Sequence, residues 1–166
     1  FVYTPATLKK HWARLHAGDA EPFPKDAAVQ QAWIHFHAGD FQAAYDAGLA
    51  AGGAGITVAN KAQGIYANYL EKKEKVKLEM FLEIAERAEA QQADDPKNPN
   101  AWFWQAYALG RYGQGISVAK ALAQGLGSKV KTALETTIQL APKHADAHIA
   151  LGRDLGFVVE ETALAM

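Results

Sequence analysis

The sequence contains no cysteine. Disulfide bonds, zinc sites built on thiolates and a cysteine nucleophile are therefore excluded. Long apolar runs are also missing, because no stretch approaches the roughly 20 consecutive apolar residues of a membrane-spanning helix. The charges nearly cancel, with 17 basic and 18 acidic residues. Without a basic field, nucleic acid is not expected as a main partner.

What remains is a composition typical of one globular domain. Of 166 residues, 49% are hydrophobic and 21% are charged, and a chain of this length buries roughly 70% of its unfolded surface. We expect a single domain over 1–166, with an N-terminal capping helix and linker (1–24), repeats (26–156) and a terminal helix (157–166). Because the chain begins with Phe1, we expect a processed or trimmed form. The compartment stays open between cytoplasm and periplasm.

Capping residues and apolar periodicity divide the chain into helices. Thr4 followed by Pro5 predicts one helix start, and Asp26 predicts a second helix that runs to about Ala38. Ser128 is expected to cap a later helix, after a short extra helix within the glycine-bracketed segment. Further helices follow from apolar positions three and four residues apart, over 41–51, 57–70, 76–93 and 100–112 and from about 145.

Two local patterns carry more specific predictions. Small residues such as Gly48 predict that the helix after Asp40 closely approaches the helix before it. Glu83 and Arg87 stand four residues apart and predict an ion pair on the outside of a helix. The motif His-Ala-Gly-Asp occurs at 16–19 and again at 37–40. Since this offset is shorter than a helical-hairpin repeat of about 34 residues, we interpret both copies as helix ends.

Two proline-centred turns punctuate the second half of the chain. Residues 95–102 read DPKNPNAW, residues 138–142 read IQLAP, and Leu-Gly follows at 151–152. These segments resemble the boundaries of tetratricopeptide (TPR) repeats. The resemblance implies an all-α, TPR-like array of antiparallel helix hairpins, about three pairs plus capping helices, in a right-handed superhelix. The two prolines lie 46 residues apart (142 − 96), against about 34 in a standard repeat, so we expect an irregular array.

Residues 125–134 and 148–153 carry a narrower resemblance. They are similar to the regulator-of-microtubule-dynamics family and, more distantly, to the T component of TRAP transporters, a periplasmic TPR-like protein. The resemblance implies no catalytic residue and no cofactor. Its TRAP-like version implies a periplasmic accessory protein of a solute transporter. A microtubule role is not expected, because the aromatic run that follows in that family is absent after Arg153.

The sequence offers no convincing catalytic or metal site. His144 and His148 stand four apart, which places two imidazoles on one helix face, but two ligands alone do not make a zinc site. His148 occupies the position where a repeat usually carries tryptophan. The glycines in 113–118 and 125–129 lack the spacing of a dinucleotide or phosphate loop. We therefore expect neither a metal nor a cofactor.

The strongest functional signal is a predicted surface. In TPR-like arrays the first helix of each pair lines the concave side, and aromatic rings beside cations suit an extended peptide or a carboxylate-bearing ligand. The alternative is that these aromatic residues form the core, since large aromatic side chains are usually buried. The predicted contact residues are Trp33, His37, Lys61, Tyr69, Phe103, Tyr107, Arg111 and Arg153.

The preferred function is a non-catalytic protein-interaction or ligand-binding scaffold. One rival is an enzyme with a closed pocket near Arg111 and His37. Another is a self-assembling protein that uses the apolar segment 157–166, and a homo-oligomer is accordingly a possible partner state. The expected partner of the scaffold is a protein segment or a small ligand that carries a carboxylate.

Overall fold

The computed structural model describes residues 1–153, and every regular element in this part of the chain is a helix. The predicted all-α class is confirmed. The predicted terminal helix 157–166 lies outside the described residues. The helices are α1 (Pro5–Leu15), α2 (Ala27–His37), α3 (Phe41–Ala51), α4 (Gly55–Tyr69), α5 (Glu74–Asp94), α6 (Pro99–Gln114), α7 (Val118–Ala123), α8 (Leu126–Leu140) and α9 (145–153).

The helices pack in chain order as a series of hairpins. Helix α2 packs on α3, α4 on α5 and α6 on α8, and α3–α4 and α5–α6 contacts join each pair to the next. The alternate helices α2, α4 and α6 also contact each other in sequence. This packing is consistent with an array of helical repeats. The short helix α7 is the predicted insertion, and it packs on α8.

Local capping explains where several helices begin. The side chain of Thr4 accepts a hydrogen bond from the Thr7 N–H, and that of Asp26 accepts from the Ala28 N–H, so both predicted caps are confirmed. The cap predicted at Ser128 is wrong. Helix α8 starts at Leu126, three residues earlier than a cap at Ser128 implies, and follows Gly125, whose φ of +64° is a left-handed conformation that suits glycine. Ser128 therefore lies inside the helix.

Two glycines allow α3 and α4 to cross at close range. A Cβ added to Gly48 would lie 2.5 Å from the carbonyl oxygen of Gly55, and a Cβ added to Gly55 would lie 2.5 Å from the carbonyl oxygen of Gly48. The backbones of α3 and α4 are thus in direct contact. The sequence predicted a close approach at Gly48 to the helix before it, and the structure places this contact with the helix after it.

The hydrophobic core has two parts that meet at α4. The first joins α1, α2, α3 and α4 around Trp33, and the second joins the remaining long helices around Phe103. Trp33 is fully buried and Phe103 is 6% exposed. These two predicted ligand contacts therefore belong to the core, which is the alternative that the sequence left open for them.

Candidate functional site

The segment between α1 and α2, residues 16–24 and here called the connector, carries buried polar side chains. His16 and Asp19 are each 3% exposed, and Glu21 is 7% exposed. Burying an ionisable group is costly unless it is paired and hydrogen-bonded. Each of these three side chains therefore needs a charged or hydrogen-bonding partner, and the structure provides one for each.

Asp19 is held by a cation from α4 and an imidazole from its own segment. Lys61 Nζ donates to Oδ2 over 2.6 Å, and His16 Nδ1 lies 2.9 Å from Oδ1. Burial by itself raises the pKa of Asp19, but the hydrogen bond from His16 and the charge of Lys61 outweigh it and hold the pKa well below its usual range. Asp19 is therefore a charged carboxylate inside the protein.

His16 also contacts His37 at the end of α2, with 3.1 Å between the two Nε2 atoms. Because the Asp19 carboxylate can only accept, the His16 proton sits on Nδ1 and its Nε2 is an acceptor. His37 must then donate from Nε2. Burial lowers the pKa of both imidazoles, and the pKa of His37 falls to about 4 with the neighbouring His16 and Lys61 contributing. Both rings are neutral near pH 7.

Asn100, at the start of α6, joins the connector to α9. Its Nδ2 donates to the Asp19 carbonyl oxygen over 3.0 Å and to the Glu21 carboxyl group. Its Oδ1 lies 2.7 Å from His144 Nε2, and the Ala147 N–H donates to His144 Nδ1, so His144 carries its proton on Nε2. Burial raises the pKa of Glu21 to about 7, with the charge of Asp19 adding and the Asn100 hydrogen bond opposing.

The connector therefore lies across four helices at once. It contacts α2 through His37, α4 through Lys61 and α6 through Asn100, and the Asp146 N–H of α9 donates to the Gly18 carbonyl oxygen over 3.0 Å. A Cβ on Gly18 would lie 2.6 Å from Asp146 Oδ1, so the fit is close. We call the shared surface of α2, α4, α6 and α9 the first-helix face.

Three of the predicted contact residues meet under the connector. Lys61 Nζ lies 5.7 Å from the ring centroid of Trp33, and His37 stacks on the same ring at 5.8 Å. The Lys61 side chain is 18% exposed and already binds a carboxylate of its own chain. The sequence predicted that aromatic rings and a cation would bind the carboxylate of a ligand. At this end of the first-helix face, the protein's own Asp19 supplies that carboxylate.

A second group of predicted residues lies further along α4 and α6. The guanidinium carbon of Arg111 lies 5.4 Å from the ring centroid of Tyr107, and Arg111 Nη1 donates to Gln114 Oε1 over 3.3 Å. Burial raises the pKa of Tyr107, while Arg111 lowers it. Tyr69 is 71% exposed. Within residues 1–153, no carboxylate lies within ion-pair distance of Arg111.

Phe103 lies between His144 and the second group, because its ring centroid lies 4.8 Å from that of His144 and 6.3 Å from that of Tyr107. Arg153 is exposed at the end of the described chain. The two residues of the enzyme alternative, His37 and Arg111, lie in different groups. Neither residue lines the cavity beside Tyr45 and Arg87 or the cavity beside Trp102 and Gln105.

Sequence reasoning missed a polar cluster between α3, α4 and α5. Arg87 donates to Asn60 Oδ1 over 2.7 Å, to Gln63 Oε1 over 3.0 Å and to the Tyr45 hydroxyl over 3.3 Å. Glu83, the partner predicted for Arg87, instead accepts from Gln63 Nε2. The ion pair predicted from their spacing is thus replaced by a network of amides beside a cavity of about 550 Å³.

No protein-family model, curated protein or solved structure matches the chain. No helix among residues 1–153 is long and apolar enough to cross a membrane. The connector residues His16, Asp19 and Glu21, and their partner Asn100, were not among the predicted site residues. The repeated His-Ala-Gly-Asp motif contains His16 and Asp19, but it identifies helix ends rather than burial, and Glu21 and Asn100 lie outside it.

Proposed function

We propose that the protein is a non-catalytic binding protein whose first-helix face holds an extended protein segment or a carboxylate-bearing ligand. The observation that carries this proposal is the way the face binds the connector. Lys61 donates to the Asp19 carboxylate. Asn100 and the Asp146 N–H donate to backbone carbonyl oxygens of the connector. Donors that hold both a carboxylate and the main chain are the elements with which proteins recognise extended acidic segments.

The part of the face beyond the connector supplies the site for an external ligand. Arg111 rests on Tyr107, and an arginine supported by an aromatic ring presents its remaining N–H groups in a fixed fork that matches a carboxylate. The exposed ring of Tyr69 offers an apolar surface with a polar end. A charge-assisted hydrogen bond of this kind contributes about 1.5–3 kcal/mol.

Fluorescence anisotropy with a labelled panel of acidic peptides that contain one aromatic residue tests the proposal. Arg111→Ala should weaken the binding of any peptide that the wild-type protein retains by about tenfold or more, because it removes a charge-assisted contact. Arg111→Lys should recover only part of that loss, since lysine lacks the planar fork. The exposed Arg14 on α1 gives the matched control, and Arg14→Ala should bind as wild type.

Two results would reject the proposal. One is the absence of binding to any member of the panel. The other is equal loss in the Arg111→Ala and Arg14→Ala variants, which would indicate a general effect of charge rather than a site. A turnover screen on the same variants addresses the enzyme alternative, since activity that disappears with Arg111→Ala would favour it.

A further inference from the structure

We propose that the polar cluster around Arg87, where α3 and α5 flank α4, is a binding site for a free α-amino acid. The carboxylate of the ligand binds Arg87, and its ammonium group binds between Glu83 and Glu86. None of these residues belongs to the Arg111 site or to the connector. The inference therefore goes beyond the proposed function, and either proposal can fail without the other.

Neutral side chains from two neighbouring helices hold Arg87 in one orientation. Its Nη1 donates to Asn60 Oδ1 over 2.7 Å and to Gln63 Oε1 over 3.0 Å. Its Nη2 donates to the Tyr45 hydroxyl over 3.3 Å, and the guanidinium carbon lies 5.3 Å from the centroid of the tyrosine ring. A guanidinium group has five N–H groups, so Nε–H and one Nη2–H have no partner among residues 1–153. These two groups remain for a carboxylate.

Gln63 separates Arg87 from the carboxylate that the spacing along α5 would favour as its partner. Glu83 precedes Arg87 by four residues, but the ion pairs within residues 1–153 do not include this pair. Gln63 accepts from Arg87 through Oε1 and donates to Glu83 Oε2 over 2.7 Å through Nε2. The amide can have no other orientation, because a guanidinium group only donates and a carboxylate only accepts. A cation and an anion are thus held apart at the two ends of one side chain.

The inner end of the cluster has spare hydrogen-bond donors, and its outer end has spare acceptors. At the inner end, Asn60 is fully buried and its Nδ2 has no acceptor in the described part of the chain. At the outer end, Glu83 and Glu86 are exposed, and neither forms an ion pair within residues 1–153. A simple anion would meet these two carboxylates and a simple cation would meet Arg87, so a zwitterion fits the charges best.

The cavity on this cluster has the size of a small-molecule site. Its volume is about 550 Å³, within the range of about 300–1,000 Å³ that ligand pockets occupy. Tyr45 lines it with a half-buried ring, which can pack on the aliphatic part of an amino acid. Two carboxylates line the cavity beside one guanidinium group, so amino acids with neutral or basic side chains should bind better than acidic ones.

Titration of the full-length protein with L-alanine, L-lysine and L-glutamate, followed by amide NMR spectroscopy, tests the site. We expect saturable shifts of the backbone amides of Tyr45 and of residues 83–87 at concentrations up to about 10 mM, tenfold above the roughly 1 mM dissociation constant of a weak complex. L-Glutamate should bind about threefold more weakly than L-alanine, because its second carboxylate meets like charges at a partly exposed site. No saturable shift with any of the three, or shifts confined to other helices, would overturn the proposal.

Two blocked forms of alanine test each end of the ligand separately. N-acetyl-L-alanine keeps the carboxylate but has no ammonium group, and L-alaninamide keeps the ammonium group but has no carboxylate. Each should bind about tenfold more weakly than L-alanine, because each lacks one charge-assisted hydrogen bond. If either analogue binds as tightly as L-alanine, the zwitterion proposal is wrong.

Glu86→Gln is the decisive variant, because it removes an exposed carboxylate that lines the cavity. L-Alanine should bind this variant about tenfold more weakly than the wild-type protein. Glu89→Gln gives the matched control, since the same charge is lost on the same helix outside the cavity and the glutamine oxygen can still accept from Gln105. It should bind as wild type. Equal weakening in the two variants would indicate a general effect of charge and would reject the site.

Arg87→Lys tests the other end of the site. Lysine keeps the charge but lacks the planar fork, so L-alanine should bind more weakly while the affinity for L-alaninamide, which has no carboxylate, stays the same. Equal weakening for both ligands would overturn the assignment of the carboxylate to Arg87. Because Arg87 contacts side chains of α3 and α4, this variant also tests folding. If it does not fold, Glu86→Gln and the blocked forms of alanine decide the question without it.

Discussion

Lys61 Nζ and Asp19 Oδ2 lie 2.6 Å apart although 42 residues separate them in the chain. The carboxylate is 3% exposed and the ammonium-bearing side chain is 18% exposed. This ion pair fastens the connector to the middle of the helical array. The Asp19 carboxylate thus occupies the place beside Lys61 where the sequence predicted the carboxylate of an external ligand.

Lys61→Met should destabilise the protein by about 3 kcal/mol, because it leaves a buried carboxylate without its cation. Adding Asp19→Asn should recover part of that loss, and the four proteins form a double-mutant cycle. Urea unfolding gives the free energies. Lys131→Met is the control, since Lys131 pairs with Glu135 at 3.9 Å on the surface, where such pairs contribute about 0–1 kcal/mol. Equal effects of the two lysine substitutions would contradict the assignment.

Glu21→Gln should change the pH dependence of stability. The pKa of Glu21 is about 7 in the folded protein and ordinarily 4.5, so its favourable contribution is complete below about pH 4.5 and is lost as the pH rises through 7. Glutamine keeps an acceptor for Asn100 and does not ionise. Relative to wild type, the variant should therefore gain stability as the pH rises from about 4.5 to about 7, measured by urea unfolding. The exposed Glu86→Gln should show no such trend.

Asn100→Ala should cost about 3 kcal/mol in the free energy of unfolding. It removes the donor to the Asp19 carbonyl oxygen and to Glu21, and it leaves the His144 Nε2–H without its acceptor in a buried site. Asn68→Ala on α4 provides a comparison at a half-buried position. Similar changes in the two thermal unfolding transitions would mean that the bridge contributes little.

Gly48→Ala should destabilise the crossing of α3 and α4 by about 1–3 kcal/mol, since the added methyl group would overlap the backbone of Gly55. Gly110→Ala is a control with the opposite expected sign. Gly110 also lies within a helix, but a Cβ there meets nothing within 4 Å, so alanine should stabilise α6 by up to about 1 kcal/mol. Chemical denaturation of both variants tests the contrast.

Much of the fold could be predicted because helix starts depend on neighbouring residues. Thr4 and Asp26 cap helices through N–H groups two or three residues away, and such bonds form wherever the local sequence permits them. The cap assigned to Ser128 failed because Gly125 can adopt a left-handed conformation and begin α8 earlier. Which helix Gly48 contacts could not be predicted either, since a small residue allows a close approach without selecting a partner.

The two copies of the His-Ala-Gly-Asp motif show which feature of the site could not be predicted from the sequence. Both copies end helices, as the sequence indicated, and Asp40 in the second copy caps α3 by accepting from the Ala43 N–H. Asp19 in the first copy instead binds Lys61 and His16 in the interior. The sequence by itself determined the helices and most of their ends, because those depend on hydrogen bonds within a few residues. Only the tertiary structure decided which aspartate is buried and charged, because that depends on burial and on a cation 42 residues away.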